Sequence, residues 1–339
     1  MQTLLLPASE NANAKAAQLI KNGEIVGVPT ETVYGLAASS FSDEAVRKIY
    51  AAKGRPSDNP LISHIADIDM LALTSREIPS GAYALAEAFW PGPLTIILKR
   101  GEKIADSVCA GLDTAAVRMP SHSVARDIIR KSGVPFAAPS ANLSGSPSPT
   151  TAQTVLDDMD GKIPLIIDGG ECEVGVESTV ITLATEKPML LRPGFITLKQ
   201  LENALGCEVL LSDAVLNKLK DGETAASPGM KYKHYAPKAE ITILKGSFAA
   251  YNDYVQSHAD DETVCLCFDG EEALIGTKCV TYGAENDDAS QAHKLFSALR
   301  QLDDIGAKTV FARAPKSTGV AMAVYNRLLR AAAFRAIQL

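Results

Sequence analysis

The sequence predicts an α/β protein of two domains. Over the first two-thirds of the 339 residues, amphipathic helical patterns alternate with short apolar strand patterns. Several strands follow one another without a helix between them, which indicates a sheet of mixed strand direction. A segment rich in turn-forming residues then interrupts the alternation, and a second α/β pattern of about 100 residues follows, which is a normal domain size. We therefore predict a first domain over residues 1–206, a linker over 207–239 and a small three-layer domain over 240–339.

The first half of the chain opens with two well-delimited helices. Ser9 is placed to cap a helix that runs to Gly23, and the apolar strand EIVGV follows it. The helix SDEAVRKIYAAKG has an acidic first turn and stops at Gly54, and Pro91 ends the next long helix, IPSGAYALAEAFWPG. These boundaries fix the order of the first elements.

The rest of the first domain is rich in strands. Thr150 with Gln153, and Thr197 with Gln200, match the capping-box pattern and predict the starts of two helices. SHSVARDIIRKSG predicts another helix. The predicted strands are LISHIA, PLTIILK, DTAAVRM, VPFAAPS, PLIIDGG, STVITLA and MLLRPG.

The second domain repeats the alternation on a smaller scale. The strands ITILK, VCLCF and KTVFARA alternate with helices near 289–304 and 317–336. Cys265 and Cys267 alternate along one strand, which is typical of a core strand. None of the six cysteines has CxxC spacing, so we expect reduced, mostly buried thiols and no metal site built from them.

The net charge of −7, from 33 basic and 40 acidic residues, disfavours a protein that coats nucleic acid non-specifically. No apolar run approaches the roughly 18 residues of a membrane span, and the first residues lack a basic region before an apolar run. We expect a cytoplasmic enzyme or binding protein.

The stretch KGRPSDNPL (53–61) carries two cations on a loop that its two prolines stiffen. In isolation it would be read as a polar connector. However, four other irregular segments also follow apolar strands, at the place where open α/β sheets bind ligands. They are PTETVYGLA (29–37), PSANLSGSPSPT (139–150), GVESTV (175–180) and LRPG (191–194).

These segments share hydroxyls, glycines and single cations, at Lys53, Arg55 and Arg192, and Arg118 lies in an apolar strand nearby. Turn amides and small hydroxyl residues can cradle phosphate oxygens, and arginines can bind phosphate or carboxylate in a bidentate way. A lone arginine in an apolar strand also needs an anionic partner. The combination predicts a site for a nucleotide and a second anionic group. Motifs of P-loop enzymes, dinucleotide-binding folds, triad hydrolases and zinc proteases are absent from the sequence.

Taken in order, PTETVYGLA, KGRPSDNPL, the Arg118 strand, PSANLSG, ESTV and LRPG strongly resemble the YrdC-like domain. The remainder, after SPGMKYKHYAP, is similar to the longer, two-domain form of the L-threonylcarbamoyladenylate synthase family. The resemblance implies a twisted mixed sheet with helices in the first domain and a Rossmann-like second domain. It also implies a reaction in which L-threonine, bicarbonate and ATP, with Mg²⁺, give L-threonylcarbamoyl-AMP and pyrophosphate. A separate transferase would then modify an adenosine of tRNA.

The same resemblance assigns residues to the two ends of the site. Threonine would bind at Thr32, His64, Arg118, Ala138 and Ser178. ATP would bind at Lys53, Arg55, Asn59, Thr114, Ser140, Ser148 and Arg192. It implies neither a covalent nucleophile nor a protein ligand for Mg²⁺. Taken alone, His64 within LISHIA is more typical of a core histidine than of a ligand.

The linker contains SPGMKYKHYAP (227–237), which is too polar and turn-rich to fold alone. Its basic and aromatic residues predict a lid over the nucleotide, with Tyr232, His234 or Tyr235 contacting ATP or the adenylate. The alternative is a spacer whose rings pack on a surface.

Two other functions remain open from the sequence. KYKHY and the loop cations could bind RNA directly, since basic residues interleaved with aromatic ones can follow a nucleic-acid strand. A YrdC-like site could also transfer a carbamoyl group, although such carbamoyltransferases usually carry additional zinc-binding modules.

Overall fold

The computed structural model describes residues 2–217 and 234–339. Within these ranges the chain forms one large mixed sheet and one smaller parallel sheet, each with helices on its faces. This confirms the predicted α/β class with mixed strand directions in the first part of the chain. The helices predicted in the second part also separate parallel strands, as expected.

Eleven strands of the described residues form the large sheet, in the spatial order β1-β8-β2-β3-β7-β4-β6-β5-β9-β10-β11. Antiparallel pairs β2–β3, β3–β7, β7–β4, β6–β5 and β9–β10 alternate with parallel ones. The strands are β1 (Leu4–Pro7), β2 (Val26–Val28), β3 (Gly35–Ser39), β4 (Ile62–His64), β5 (Leu94–Lys99), β6 (Thr114–Arg118), β7 (Phe136–Ala137), β8 (Leu165–Asp168), β9 (Thr179–Thr182), β10 (Met189–Arg192) and β11 (Leu210–Leu211).

Eight α-helices of the described residues accompany this sheet. They are α1 (Glu10–Lys21), α2 (Asp43–Lys53), α3 (Leu71–Thr74), α4 (Ser80–Phe89), α5 (Asp106–Cys109), α6 (Ser123–Ser132), α7 (Ala152–Met159) and α8 (Leu198–Leu205), with 3₁₀ turns at Ile68–Met70 and Asp213–Val215. Helices α1 and α6 pack on one face of the sheet, and α2, α5 and α7 on the other. Strand β8 shows why both faces are covered: Leu165 and Ile167 face the first layer and Ile166 the second.

The helix caps follow local sequence. Ser9 caps α1, and Thr197 forms the predicted capping box with Gln200 at the start of α8. The capping box predicted at Thr150 and Gln153 is wrong. Thr151 caps α7 instead, accepting a hydrogen bond from the Thr154 amide at 3.3 Å. Thr150 and Thr151 both have a hydroxyl that could cap the helix. Thr151 is the N-cap, with the extended backbone that this position has.

The smaller sheet is entirely parallel, in the order β14-β13-β15-β12-β16. Its elements are β12 (Glu240–Lys245), α9 (Phe248–His258), β13 (Thr263–Cys267), β14 (Cys279–Thr281), α10 (Asp288–Asp304), β15 (Thr309–Arg313), α11 (Ala321–Ala331) and β16 (Ala336–Gln338). Cys265 and Cys267 are fully buried along β13. None of the described helices is long and apolar enough to cross a membrane.

The two sheets share an apolar contact. Val33, Val176 and Tyr235 belong to the same buried cluster as Phe296 and Leu328 of helices α10 and α11. Val33 and Val176 lie in two of the loops that the sequence singled out. The second sheet and its helices therefore pack directly against those loops. Part of the predicted linker also belongs to the first sheet, because β11 pairs with β10.

Candidate active site

A cleft with about 720 Å³ of open volume, including its mouth, gathers all five segments that were predicted to bind ligands. Its walls come from the loop after β2, the loop after α2, the loop after β7, the loop before β9 and the end of β10. His64 at the end of β4 and Arg118 at the end of β6 complete the floor. Strand pairing brings residues far apart in sequence together here, because His64 of β4 is the register partner of Arg118 of β6 and the start of β9 lies beside the end of β10.

Arg118 is buried, and its guanidinium is held on three sides. Nη1 donates to Thr32 Oγ1 at 2.8 Å, Nε donates to the Gly92 carbonyl at 3.3 Å, and Nη2 lies 2.6 Å from the carboxylate of Glu31. The anionic partner that a buried arginine requires is therefore within the protein. Arginine has five N–H donors, so this fixed guanidinium retains donors for a carboxylate in the cleft.

Glu31 is itself buried, and neither of its carboxylate oxygens accepts a hydrogen bond of good geometry from the described residues. Its contact with Arg118 is an ion pair rather than an aligned hydrogen bond. It neutralises the arginine while leaving the guanidinium plane free to align with another group.

His64 and Ser178 lie on either side of this arginine's end of the cleft. Burial lowers the pKa of His64 to about 3, and the charge of Arg118 contributes. The imidazole is therefore neutral at pH 7 and can only act as a neutral hydrogen-bonding group. Ser178 Oγ is 2.8 Å from Thr95 Oγ1, so its hydroxyl is positioned by the neighbouring strand. Ala138 lines the same wall.

Lys53, at the end of α2, lies below the loop after β7. Its Nζ donates to the carbonyl groups of Ser140 and Asn142, the second at 2.6 Å. Burial, followed by the nearby charge of Arg55, lowers the pKa of Lys53 well below its ordinary value. The ammonium thus connects two walls of the cleft and holds the backbone of Ser140 in place.

Arg55 is held by its own loop. Its Nη2 donates to the carbonyl groups of Asn59 and Pro60, both at 3.3 Å. The prolines and these hydrogen bonds fix the cation before any ligand binds, which reduces the ordering entropy lost on binding. Asn59 is fully buried behind the loop and does not line the cleft.

Arg192 lies opposite these cations. Nε donates to the Ser178 carbonyl at 3.0 Å and Nη2 donates to Ser178 Oγ at 3.1 Å. Burial lowers the pKa of Arg192 to about 10, so it stays charged at pH 7. Four basic side chains, of Lys53, Arg55, Arg118 and Arg192, therefore line a cleft whose described lining includes the carboxylate of Glu177. This excess of positive charge favours an anionic ligand.

His234 and Tyr235 also line the cleft. Burial, with a contribution from the charge of Arg55, lowers the pKa of His234 to about 3. The Tyr235 ring lies 5.2 Å from that of Phe296 in the second domain, and the amide of Ala236 donates to the Gly145 carbonyl at 2.9 Å. The end of the segment predicted to form a lid therefore lines the cleft. Tyr232 lies outside the described residues.

Besides Asn59, two predicted ATP residues do not reach the cleft lining. Thr114 begins β6, roughly 13 Å of strand away from Arg118 at its other end. Ser148 is buried behind the wall, where its Oγ donates to Glu177 Oε1 at 2.6 Å.

Three charged residues near the cleft were not predicted from the sequence: Glu31, Glu177 and Arg327. The two glutamates are adjacent to predicted ligand residues in the motifs PTETV and VESTV, and this was the available signal. Arg327 lies on α11, where nothing in the sequence distinguishes it from a solvent-exposed arginine. Among the described residues, no cluster of three or more His, Cys, Asp and Glu could hold a metal ion.

Comparison with known proteins gives the same two-part division of the chain. Residues 18–194 match the family model Sua5/YciO/YrdC, described as "Telomere recombination". Residues 196–333 match the model "Threonylcarbamoyl-AMP synthase, C-terminal domain".

Curated relatives extend the similarity over nearly the whole chain. Threonylcarbamoyl-AMP synthase from Pyrococcus abyssi is 44% identical over 95% of this chain and 94% of its own length. The Bacillus subtilis protein of the same name is 44% identical over 96% of this chain and 94% of its own length.

Solved structures agree. P. abyssi Sua5 in complex with L-threonine superposes with a TM-score of 0.91 at 40% identity, covering 99% of this chain and 100% of that chain. An H234A/Y235A variant of P. abyssi Sua5 gives a TM-score of 0.90, with 99% and 98% coverage.

Proposed function

The chain belongs to the Sua5/YciO/YrdC family in its two-domain form, and we infer from this membership that it is a threonylcarbamoyl-AMP synthase. It combines L-threonine, bicarbonate and ATP into L-threonylcarbamoyl-AMP and releases pyrophosphate. The observation that carries this function is one cleft that is lined by the fixed guanidinium of Arg118 and by three further basic side chains, Lys53, Arg55 and Arg192. An amino acid and a nucleoside triphosphate would fit this distribution of charge.

Threonine would lie at the Arg118 end. Its carboxylate would bind the guanidinium that Thr32 and Glu31 hold, and its hydroxyl would meet the neutral groups of His64 and Ser178. Hydrogen bonding to the hydroxyl can reject valine strongly, whereas contact with the methyl group discriminates against serine by only roughly 10- to 200-fold. These roles are predictions that follow from chemistry and position.

ATP would lie beside threonine, among Lys53, Arg55, Ser140 and Arg192, next to His234 and Tyr235. It brings about four negative charges, which the fixed cations offset as pyrophosphate leaves. Ser148 would act from behind the wall through its hydrogen bond to Glu177, and Asn59 through its backbone carbonyl, which accepts from Tyr50 and Arg55. Thr114 would need to contact a part of ATP that extends beyond the described lining.

The chemistry needs positioning more than covalent catalysis. The threonine amine and bicarbonate give a carbamate and release water, and an oxygen of the carbamate attacks the α-phosphorus in line with the departing pyrophosphate. Adenylation of bicarbonate before reaction with the amine would give the same product. In either order, the two ends of the cleft hold the reactants next to each other.

Mg²⁺ is proposed as a companion of ATP. Glu177 uses one oxygen for Ser148 and the other for Arg327, so this lining carboxylate is not available as a free ligand. Phosphate oxygens and water would supply the coordination, as is common for this ion.

We propose that the product passes to a separate transferase that modifies tRNA, in the cytoplasm where ATP and tRNA occur. A mixed anhydride is prone to hydrolysis, so a cover over the cleft would protect it before transfer. The direct contact with tRNA would then be weak or indirect.

The test is pyrophosphate release from ATP and bicarbonate, measured with each of the twenty amino acids in turn. We expect release to require both bicarbonate and L-threonine. Pyrophosphate release that does not depend on threonine would instead support carbamoyl transfer. Tight binding of tRNA without ATP, seen as a gel shift, would support RNA binding.

The lid has its own test. Replacing Lys231–Tyr235 by a Gly/Ser run of equal length should lower turnover and raise the amount of free AMP per product formed, because water reaches the adenylate. An unchanged rate with an unchanged AMP ratio would show that the segment is only a spacer.

A further inference from the structure

Arg327 comes from helix α11 of the second domain, yet it contacts the loops of the cleft in the first. It is fully buried, and its guanidinium makes three contacts across the boundary. Nε donates to Glu177 Oε2 at 3.0 Å, Nη2 donates to the Glu177 carbonyl at 3.0 Å, and Nη1 donates to the Pro193 carbonyl at 2.5 Å. One side chain therefore joins two loops that are separate in sequence.

In both loops, a residue adjacent to the one that Arg327 contacts lines the cleft. Ser178 follows Glu177, and Arg192 precedes Pro193. Arg192 already joins the loops on the cleft side, where Nε donates to the Ser178 carbonyl at 3.0 Å. Arg327 joins the same loops on the side away from the cleft, so the pair is held from both sides.

A third loop is connected through the carboxylate. Ser148 Oγ donates to the oxygen of Glu177 that Arg327 leaves unused, at 2.6 Å. Arg327, Glu177 and Ser148 therefore form a chain of charge-assisted hydrogen bonds from the second domain to the loop after β7.

The charge of the Glu177 carboxylate is balanced in part by Arg327. Burial alone would raise the pKa of Glu177, but the charges of Arg327 and Arg192 and the Ser148 hydrogen bond outweigh it, and the pKa lies below its ordinary value. Without Arg327, the buried carboxylate would lose the guanidinium that donates to its Oε2. It would then turn toward Arg192, whose charge also acts on it, or take up a proton. Either change would disturb Arg192 and Ser148.

We propose that Arg327 is a positioning residue of the active site and that the second domain completes the nucleotide end of the cleft through it. This proposal rests on the proposed function, since it assigns the Arg192 end to ATP. The second domain is then a structural part of the catalytic site, although it carries no reacting group.

The test compares R327M with R313M in the full chain. Arg313 is equally buried in the second domain and is paired with Glu271, but its described partners all lie within that domain. R313M therefore controls for loss of a buried arginine that does not touch the cleft. ATP affinity is measured by calorimetry and the KM values by pyrophosphate release, on protein shown by circular dichroism to be folded at the assay temperature.

We expect R327M to weaken ATP binding by about 10- to 100-fold, the effect of losing a charge-assisted hydrogen bond. The ATP affinity of R313M should stay within about twofold of that of the unsubstituted protein, even if R313M lowers Tm more than R327M does. Adding E177Q to R327M removes the unpaired charge, so the double variant should recover part of the ATP affinity. E177Q alone measures the gain that follows from removing a negative charge from the cleft lining, and a larger gain in the R327M background would support the proposal.

ATP affinity of folded R327M equal to that of the unsubstituted protein would overturn the proposal, and so would an equal loss in R313M. If R327M is recovered unfolded, R327K is measured against the same criteria. Lysine keeps the positive charge but lacks the planar guanidinium that donates to several acceptors at once. Product formation by the unsubstituted enzyme tests the proposed function separately.

Discussion

At the scale of single residues, Arg118 shows how a buried charge can be neutralised and still remain available. Glu31 supplies the counter-charge and Thr32 Oγ1 fixes the plane. The guanidinium therefore needs no reorganisation when a carboxylate arrives, which favours tight binding of a small substrate.

We predict that R118K raises the KM for threonine by about 10- to 100-fold and changes the KM for ATP by less than about threefold, because lysine cannot form the bidentate contact. Steady-state pyrophosphate release with each substrate varied in turn measures both values. R76K, at an exposed arginine paired with Asp113, is the control. Equal changes for both substrates would mean that Arg118 is structural or binds phosphate.

His64 makes stability depend on pH. Its folded pKa of about 3 lies below the ordinary value of 6.5, so the unfolded chain binds a proton first as the pH falls. The neutral histidine is compatible with folding above pH 6.5, and stability is lost progressively between pH 6.5 and 3.

Between pH 7.5 and 5, this residue should account for a loss of about 2 kcal/mol in the free energy of unfolding. Urea unfolding of H64Q should show a loss that is smaller by that amount. H258Q alters an exposed histidine and should match the unsubstituted protein. If H64Q and the unsubstituted protein lose stability equally, His64 is not the group that titrates.

Several of these residues could be predicted from the sequence. Lys53, Arg55, Arg118 and Arg192 stood out because single cations followed apolar strands, and all four line one cleft. Glu31 and Arg327 did not stand out, since a charged residue in a motif or on a helix is typical of a solvated surface. Only the three-dimensional contact shows that these two charges are buried.

At the scale of elements, the turn 191–194 is held very close to β9. A Cβ at Gly194 would lie 2.2 Å from the Thr179 nitrogen and 2.6 Å from its Oγ1. Thr179 Oγ1 also donates to the Ile196 carbonyl at 2.7 Å and accepts from the Ile196 amide at 3.0 Å. This approach places Arg192 against Ser178.

G194A should therefore lower the free energy of unfolding by about 1–3 kcal/mol or more and weaken ATP binding, because the backbone must move apart. Urea unfolding and calorimetric titration measure the two effects. The control is G276A, where a Cβ would lie 3.4 Å from the Gln256 side-chain nitrogen, at the end of a flexible side chain. Unchanged ATP affinity in G194A would show that this turn does not position the nucleotide end of the cleft.

Helices with a sustained hydrophobic pattern were predicted from the sequence, whereas a short strand that depends on pairing with a neighbour was not. Helices α1, α2 and α8 had both caps and periodicity in the sequence. Strand β11 has two residues and exists because it pairs with β10, so no local pattern could reveal it.

At the scale of the whole molecule, the two sheets are joined by one apolar cluster. Val33 and Val176 from the cleft loops, and Tyr235 from the predicted lid, pack with Phe296 and Leu328. Separating the sheets would expose these side chains together with the charges of Glu177 and Arg327, which is costly for both parts.

We predict that the two domains unfold in one cooperative transition. Trp90, the single tryptophan, reports on the first domain by fluorescence, and amide exchange in β13 and β15 reports on the second. Both probes should give the same denaturant midpoint, and saturating ATP should shift them together. Two separate midpoints would show that the domains are independent.

The contact between Arg327 and Glu177 also has a consequence in time. The two residues are 150 positions apart in the chain. At a synthesis rate of about 5–20 residues per second, roughly 8–30 s pass between the emergence of the glutamate and that of the arginine. During translation the first domain therefore waits with a buried carboxylate that has no second-domain partner. The nucleotide end of the cleft can become complete only after nearly all of this sequence has been made.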